Sequence, residues 1–276
     1  MKVWVTGAGG YIGRHVVRQL LDDGHQVIAC DIRGDELDSR AVFARADIFS
    51  ENTLLEEYGV PDVCIHLAVR NGFVHQSPGH LEDLPRHFHF LTSLIDAGLS
   101  RLVVMGTMHE VGYHEGMIDE NTPCNPLSLY AISKDALRRS LEIYCRTKDC
   151  NLLWLRGFYL LGDDGHNHSI FSKLLEAARD GKKTFPFTSG KTRYDFLSVD
   201  ELALMIARAS EQDRVKGIIC CCSGKPVSLG ERVEQFIREN GLDIRLDYGA
   251  FPDRPYDSPC IYGDPSKIQS ILNAKG

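Results

Sequence analysis

The stretch "VTGAGGYIG", residues 5–13, follows an apolar run and carries Gly7, Gly10 and Gly13 at three-residue spacing. Glycines in these places permit a tight turn, let the backbone approach a pyrophosphate and allow a helix to pack close to a strand. The motif therefore predicts a dinucleotide site between the first strand and the first helix.

Asp31 ends the second apolar run, "QVIACD", about where an acidic residue accepts a hydrogen bond from a ribose hydroxyl. A carboxylate there favours NAD, because it repels the 2'-phosphate of NADP. Arg33 lies two residues further on, where a guanidinium could bind such a phosphate or remain a solvated loop charge. We expect NAD, and NADP stays open.

Apolar runs alternate with amphipathic stretches through the first half of the chain. Strands are predicted at "KVWVTG", "QVIACD", "PDVCIHLA" and "RLVVMGT", and helices near 11–23 and 82–97. Runs that are apolar without alternation are typical of parallel strands covered by helices on both faces. The pattern predicts an α/β fold, a doubly wound parallel sheet of the Rossmann type with a smaller mixed C-terminal substrate lobe.

The later half has shorter elements separated by polar loops. Helices are predicted in "IFSKLLEAARDGKK" and "KPVSLGERVEQFIRENG", a strand plus a helix in "RYDFLSVDELALMIARAS", and a loop in "GDDGHNHS". We expect residues 1–155 to form the dinucleotide-binding domain, with 191–225 returning to it in part. Residues 156–190 and 226–276 are expected to form the substrate-binding lobe.

Composition narrows the function classes. The 276 residues are 43% hydrophobic, enough for a substantial core. The net charge of -7 and the pI of about 5.9, without a long basic run, disfavour nucleic acid as a partner. Neither a signal-peptide core nor an apolar stretch of bilayer length is present, so we expect a soluble, cytoplasmic protein without membrane contacts.

Nine cysteines, an odd count, include the adjacent Cys220, Cys221 and Cys222 on an apolar run, where alternate side chains point to opposite faces. No C-x-x-C pair is present, and the nearest spacing, Cys145 to Cys150, has no second pair at zinc-site distance. We therefore expect reduced thiols and no metal site.

"YAISK", residues 130–134, places Tyr130 and Lys134 four residues apart, on one face of a helix. An ammonium near a phenol favours the phenolate, so we expect a lowered Tyr130 pKa, suited to proton exchange with a substrate oxygen. Taken alone, this spacing is also common by chance.

As a set, "TGAGGYIG", "ADI" at 46–48, "IHLA" at 65–68, "VVMGTMHEVGY" and "YAISK" resemble the extended short-chain dehydrogenase/reductase family over nearly the whole chain. Later stretches, "LRGFYLLG", "RYDFLSVDELA" and "YGDPSKI", are similar to its nucleotide-sugar members. The resemblance implies NAD, with NADP possible, and a nucleoside-diphosphate sugar as ligands. The implied cofactor contacts are Gly7, Gly10, Tyr11, Ile12, Gly13, Asp31, Arg33, Asp47, Ile48, Leu67, Ala68, Tyr130 and Lys134.

The same resemblance implies the catalytic roles. The Thr107 hydroxyl would bond the reacting sugar oxygen, Tyr130 would be the acid/base, and Lys134 would tune it and hold the nicotinamide ribose. Gly106 replaces one of the family's paired serines. Where dehydratases of the family carry an Asp-Glu pair, this chain has Met108 and His109, and a thioether is neither acid nor base, which argues against dehydration.

Two histidines, His109 and His87, each have two possible roles. His109 and Glu110 are expected where a substrate could reach, with His109 either a second acid/base or a hydrogen-bonded pocket wall. His87 stands where the family has an asparagine, and a structural and a proton-relay role are both open.

The implied substrate contacts are Thr107, Met108, His109, Asn167, Ser169, Arg193 and Arg254. Of these, Arg193 and Arg254 would bind the diphosphate through their forked guanidinium groups, or pair with surface carboxylates instead. Phe171, Phe185 and Phe187 are candidates for stacking on a base, although such residues are more often core.

The favoured function is an NAD(P)-dependent reductase of a nucleotide-linked 4-keto-6-deoxyhexose, with hydride transfer at C4. One alternative is an NAD-dependent nucleotide-sugar 4-epimerase, and another is a non-catalytic, cofactor-sensing binding protein. The apolar surfaces of the predicted helices at 82–97 and 126–148 predict a homodimer, as in related proteins.

Overall fold

A parallel sheet dominates the computed structural model, which describes residues 1–50, 53–161, 170–253 and 258–274. The strands are β1 Lys2–Thr6, β2 Gln26–Asp31, β3 Val42–Arg45, β4 Val63–His66, β5 Arg101–Thr107, β6 Gly116–Ile118, β7 Asn151–Gly157, β8 Tyr159–Leu161, β9 Thr184–Pro186, β10 Arg193–Tyr194, β11 Phe196–Ser198, β12 Gly217–Cys221, β13 Val227–Ser228, β14 Arg245–Asp247 and β15 Cys260–Gly263. The helices are α1 Tyr11–Asp22, α2 Leu54–Tyr58, α3 Gly79–Asp96, α4 Leu129–Lys148, α5 Ile170–Arg179, α6 Val199–Ser210, α7 Leu229–Glu239 and α8 Ser266–Asn273, with a 3₁₀ turn at Met108–Glu110.

The large sheet has seven strands in the order β3-β2-β1-β4-β5-β7-β12, and every neighbouring pair is parallel. This confirms the predicted doubly wound fold. The direction of strand addition reverses between β1 and β4, and at such a point the loops after the two strands diverge and leave a crevice at their carboxyl ends. The glycine loop follows β1 and therefore borders this crevice.

Alternate side chains of β1 enter two different cores. Val3 and Val5 face α1 and α6, whereas Trp4 faces α3 and α4. All three are fully buried, because helices cover both faces of the sheet. Cys220, Cys221 and Cys222 alternate as predicted: Cys221 lies in the first of these cores, and its two neighbours lie in a third cluster under the smaller lobe.

The smaller lobe is built from short strands. One sheet has the order β13-β10-β15-β6, and two further pairs are β11 with β8 and β14 with β9. Two helices begin at a serine N-cap with a reciprocal glutamate three residues later: Ser198 with Glu201 for α6, which covers the large sheet, and Ser228 with Glu231 for α7. These local signals explain where the helices begin.

Phe171 and Phe187 are buried in the core of this lobe with Phe236, and Phe185 packs against them. Their core interpretation is therefore the correct one, and base stacking by these three rings has no support. The division of the lobes also differs in detail from the prediction. Helix α8 packs through Ile268 and Ile271 into the core beneath α6, not into the smaller lobe, and the domain boundaries as a whole stay a prediction.

Exposed apolar side chains occur on α3 and α4, which pack against each other. Leu81, Ile132 and Ile143 are examples. The predicted homodimer stays a prediction. Within the described ranges, no helix is long and apolar enough to cross a membrane, and no group of three His, Cys, Asp or Glu side chains is placed to hold a metal ion.

Candidate active site

The glycine loop lies against the end of β4. Gly7 has φ +70°, and a Cβ there would lie 2.6 Å from the backbone nitrogen of Ala68. A Cβ at Gly13 would lie 2.1 Å from the carbonyl oxygen of Gly7. Both positions therefore require glycine for space, and the loop lies directly against Leu67 and Ala68 at Gly7.

The N-terminus of α1 is open to an anion. Its N-cap is Gly10, which supplies no side-chain acceptor, and its first turn carries no acidic residue. The N–H groups of the first turn and the helix dipole then favour a phosphate. Among the described residues, a Cβ added at Gly10 would have one neighbour within 4 Å, the Gly7 carbonyl oxygen at 3.1 Å. The backbone there is therefore open to a ligand. These residues fit the pyrophosphate of a dinucleotide.

Asp31 ends β2 beside the loop and is held by backbone donors. The Gly9 N–H donates to Oδ2 at 2.9 Å, and the N–H groups of Ile32 and Arg33 donate to Oδ1 at 2.7 and 3.3 Å. A carboxylate has about four acceptor positions, so one on Oδ2 remains for a ribose hydroxyl. The Arg33 side chain is exposed.

The two residues predicted to contact the adenine edge, Asp47 and Ile48, already have partners within the protein. Asp47 accepts hydrogen bonds from Arg70 at 2.9 Å and from the Phe49 N–H at 3.0 Å. Ile48 is buried and lines a cavity of about 730 Å³ between α2 and α3, which contains none of the other predicted site residues. The large volume of this cavity therefore does not identify it as the active site.

Thr107, Tyr130 and Lys134 meet at the carboxyl end of β5. The Ser128 side chain caps α4 by accepting from the Ala131 N–H, which places Tyr130 in the first turn. The Thr107 hydroxyl lies close enough to the Tyr130 hydroxyl to favour the phenolate form. Lys134 Nζ lies 5.9 Å from the centre of the Tyr130 ring and donates to the Met105 carbonyl at 2.8 Å. The structure thus brings the three predicted catalytic side chains together.

The protonation of this group differs from the prediction. Burial, with a smaller effect of the Glu110 carboxylate, raises the pKa of Tyr130 above its ordinary value, although the Thr107 hydroxyl opposes the rise. Burial also lowers the pKa of Lys134 to about 8, against the Glu110 charge, which raises it. The predicted lowering of the tyrosine pKa is therefore wrong for this structure, because loss of water outweighs the nearby ammonium.

This arrangement predicts how the rate depends on pH. Of the two side chains, Lys134 loses its proton first, near its pKa of about 8, because burial raises the pKa of Tyr130 above its ordinary value. Oxidation of a hydroxyl needs a group that accepts its proton, so kcat for oxidation should rise with pH through an apparent pKa of about 8. Steady-state rates from pH 6 to pH 10, on the order of one point per half unit, test this. In Lys134→Arg the guanidinium stays protonated, so the rise of kcat near pH 8 should disappear. A rise of kcat that persists near pH 8 in this variant would contradict the assignment to Lys134.

Three histidine side chains lie near Tyr130, and two of them, His75 and His80, were not predicted from the sequence motifs. His75 stacks on the phenol with ring centres 5.1 Å apart, and His80 lies at 5.2 Å. His109 packs against His75 at 4.9 Å, and burial with that neighbour lowers the pKa of His109 to about 4. The hint in the sequence is "FVHQSPGH", which follows β4. A neutral His109 without a carboxylate contact among the described residues favours the pocket wall, while an acid/base role stays a proposal.

His87 belongs to a buried chain of hydrogen bonds. Its Nδ1 lies 2.8 Å from His66 Nε2, and His66 Nδ1 lies 2.8 Å from the Thr6 hydroxyl. Burial lowers the pKa of His87 to about 3. A cavity of about 10 Å³, room for about one water, is lined by both His87 and Lys134. The chain gives His87 a structural role between β1, β4 and α3, and proton relay stays a prediction.

The predicted substrate contacts fare unequally. Met108 is buried in the cluster under the smaller lobe with Val111 and Ile118, so its side chain contacts core residues. Arg193 is exposed and donates to the Pro226 carbonyl at 2.8 Å, and it pairs with no carboxylate among the described residues. Asn167, Ser169 and Arg254 lie outside the described residues, as does the predicted loop "GDDGHNHS".

Glu110 is fully buried, which contradicts the expectation that a substrate could reach it. Its Oε1 accepts from the Thr107 N–H at 2.8 Å and from Trp154 Nε1 at 2.9 Å, and its Oε2 lies 3.3 Å from Arg156 Nη2. The turn after β5 points this carboxylate back into the protein, behind the Thr107 hydroxyl group.

Comparison with known proteins agrees with this geometry. The model of the "NAD dependent epimerase/dehydratase family" matches residues 3–221. The chain is 42% identical over 273 residues to dTDP-6-deoxy-L-talose 4-dehydrogenase (NAD(+)) of Aggregatibacter actinomycetemcomitans, which covers 95% of this chain and 99% of that protein.

Solved structures are similar over nearly the whole chain. UDP-N-acetylglucosamine 4-epimerase from Methanobrevibacter ruminantium M1 superposes with a TM-score of 0.85 at 21% identity, over 98% of this chain and 91% of that one. MoeE5 in complex with UDP-glucuronic acid and NAD superposes with a TM-score of 0.82 at 26% identity, over 99% and 93%.

Proposed function

The chain belongs to the NAD-dependent epimerase/dehydratase family, and we propose that it oxidises or reduces C4 of a nucleoside-diphosphate 6-deoxyhexose. The observation that carries the proposal is the meeting of Thr107, Tyr130 and Lys134 at the carboxyl end of β5, together with a glycine loop suited to NAD. The 42% identical dTDP-6-deoxy-L-talose 4-dehydrogenase (NAD(+)) supports the sugar class and the position on the ring.

Two hydroxyl groups on one side of the pocket can hold a single sugar oxygen. Tyr130 gives a proton to that oxygen or takes it away, and the Thr107 hydroxyl stabilises negative charge that develops on it. Lys134, anchored on the Met105 carbonyl, keeps a positive charge near the phenol while it is protonated. NAD supplies the acceptance or donation of hydride at its nicotinamide ring. Holding the reacting groups in contact accounts for much of the acceleration.

The predicted reductase and a dehydrogenase are the same catalyst run in opposite directions. In the reductive direction the substrate is a 4-keto-6-deoxyhexose, and in the oxidative direction it is the corresponding alcohol. Met108 and His109 replace the acid and base that a dehydratase of the family would need, and the burial of Met108 removes it further from such a role. We therefore favour simple redox chemistry at C4 over dehydration.

A nucleotide-sugar 4-epimerase is the second candidate, because several similar proteins carry that name, among them a probable UDP-arabinose 4-epimerase 27% identical over 320 residues. The same three catalytic side chains would serve it. A cofactor-sensing protein without catalysis is disfavoured, since Thr107, Tyr130 and Lys134 are all present and lie near the same end of β5.

Cofactor stoichiometry separates these candidates. Purified protein is incubated with NAD and dTDP- or UDP-linked 6-deoxyhexoses, and with NADH and the 4-keto forms, while absorbance at the reduced-nicotinamide band is followed. We expect about one cofactor converted per sugar, because each turnover moves one hydride. Interconversion of the C4 stereoisomers without net absorbance change would favour the epimerase. No conversion of any sugar in the panel would contradict both.

A further inference from the structure

We propose that Glu110 is a positioning residue for the catalytic hydroxyl groups: its buried carboxylate, together with Trp154, fixes the backbone of Thr107 and fills the space beside Gly106. The inference deepens the proposed function and rests on it for the statement that Thr107 meets the substrate. Its structural part, the hold of Glu110 on Thr107, stands on contacts alone.

Within the part of the chain that the structure describes, all close partners of the Glu110 carboxylate are donors. They are the Thr107 N–H, the Trp154 indole N–H and the Arg156 guanidinium. A protonated carboxyl would need an acceptor for its own hydrogen, so this environment suits the ionised form. Burial raises the pKa of Glu110, and Arg156 and the Thr107 N–H oppose that rise. A second guanidinium, Arg138, lies 3.9 Å away and adds compensation for a buried charge.

Gly106 shows why these groups form one unit. A Cβ at this position would lie 2.1 Å from Trp154 Nε1 and 2.6 Å from Glu110 Oε1. Neither the indole nor the carboxylate is the free end of a flexible chain, since each is held by the other. The place that a serine would occupy is thus filled by the indole and the carboxylate, and the strand reaches Thr107 with a single catalytic hydroxyl.

Glu110 and Trp154 together determine the position of Thr107. Glu110 accepts from the Thr107 N–H, and the Thr107 hydroxyl accepts from the His109 N–H at 3.3 Å in the same turn. The two bonds close the turn Met108–Glu110 and fix the direction in which the threonine hydroxyl points. The hydroxyl is then available to Tyr130, which lies on a different helix.

The charge of Glu110 also reaches the proton-transfer pair. It is among the causes that raise the pKa values of both Tyr130 and Lys134. Removing the charge should therefore lower both values, because a negative neighbour disfavours the phenolate and favours the ammonium. A residue that only filled space would leave them unchanged.

The test compares Glu110→Gln with Glu142→Gln. The first variant keeps the shape and removes the charge. The second removes a partly exposed carboxylate that pairs with the same Arg138 at 2.6 Å and does not contact Thr107. We expect Glu110→Gln to lower kcat roughly 10- to 100-fold with KM changed less than about threefold, since misplacement of a reacting group mainly affects the chemical step. The apparent pKa of the oxidation rate should shift downward in this variant and stay constant in Glu142→Gln.

Amide hydrogen exchange at Thr107, measured without substrate, gives a second readout. We expect faster exchange in Glu110→Gln, by about tenfold, the equivalent of one weakened hydrogen bond. Unchanged exchange and an unchanged pH profile in a folded variant would overturn the proposal. If Glu110→Gln does not fold, Trp154→Phe, which removes one donor to the same carboxylate, must show faster exchange at Thr107, and unchanged exchange there overturns the proposal equally.

The two readouts also keep the two proposals apart. If wild type converts no sugar, the proposed function fails, while the exchange rates still decide whether Glu110 holds Thr107. If wild type is active and both readouts of Glu110→Gln match wild type, only the positioning role fails.

Discussion

Replacing Tyr130 with phenylalanine should lower kcat by about 10²- to 10⁴-fold, the usual contribution of a positioned acid/base. Phenylalanine keeps the ring that stacks on His75 and loses only the hydroxyl, which lies near that of Thr107. The fold should lose no more than about 0.5–1.5 kcal/mol for one hydrogen bond. Steady-state rates with the sugar nucleotide and NAD, beside a thermal unfolding curve, measure the two effects.

Tyr144→Phe is the matched control for this substitution. Tyr144 lies on the same helix, α4, and its hydroxyl donates to Asp96 at the surface, at 2.8 and 2.9 Å from the two carboxylate oxygens. We expect its kcat to equal that of wild type. A Tyr130→Phe protein with kcat within about threefold of wild type, an effect far below the acid/base range, would remove Tyr130 from the mechanism.

Gly7→Ala should weaken NAD binding by about 10- to 100-fold, from an overpacking cost of about 1–3 kcal/mol in the loop. Two causes add at this position. The backbone has φ +70°, which costs about 1–2 kcal/mol for a residue with a Cβ, and that Cβ would lie 2.6 Å from the Ala68 nitrogen. The collision is with backbone, so relief requires the glycine loop to leave β4. Isothermal titration with NAD measures the affinity.

Gly24→Ala separates the two causes. Gly24 follows the other end of α1 with φ +81°, and an added Cβ there would meet no atom within 4 Å. This variant should lose only the conformational cost, about 1–2 kcal/mol of unfolding free energy, and bind NAD like wild type. Equal affinities for NAD in Gly7→Ala and Gly24→Ala would show that the contact between the loop and Ala68 does not shape the cofactor site.

Local signals were sufficient for most of the fold. The glycine spacing after β1 and the apolar run of β2 ending in Asp31 are properties of short segments, and the structure places them as predicted. The serine and glutamate pairs at 198 and 201, and at 228 and 231, likewise mark helix starts without reference to the rest of the chain.

Burial was the part that local signals did not contain. Glu110 and Met108 follow the proposed catalytic Thr107 in the sequence, yet both face inward, because Trp154, Arg156 and Ile118 come from distant segments to meet them. The raised pKa of Tyr130 has the same origin in desolvation. The Tyr130 N–H donates a hydrogen bond to the His75 carbonyl, which holds His75 beside the phenol. No spacing rule in the sequence predicts this contact.

The parallel order of the large sheet also bears on how the chain is made. Strand β7 receives its outer neighbour only when β12 has been synthesised, since Leu153 pairs with Gly217 and Leu155 with Ile219. Until then β7 presents unpaired backbone groups along an apolar strand, the kind of edge that associates with other chains. A nascent chain on the ribosome therefore carries a temporary aggregation-prone edge, and aggregation during expression should concentrate in chains that end before residue 217.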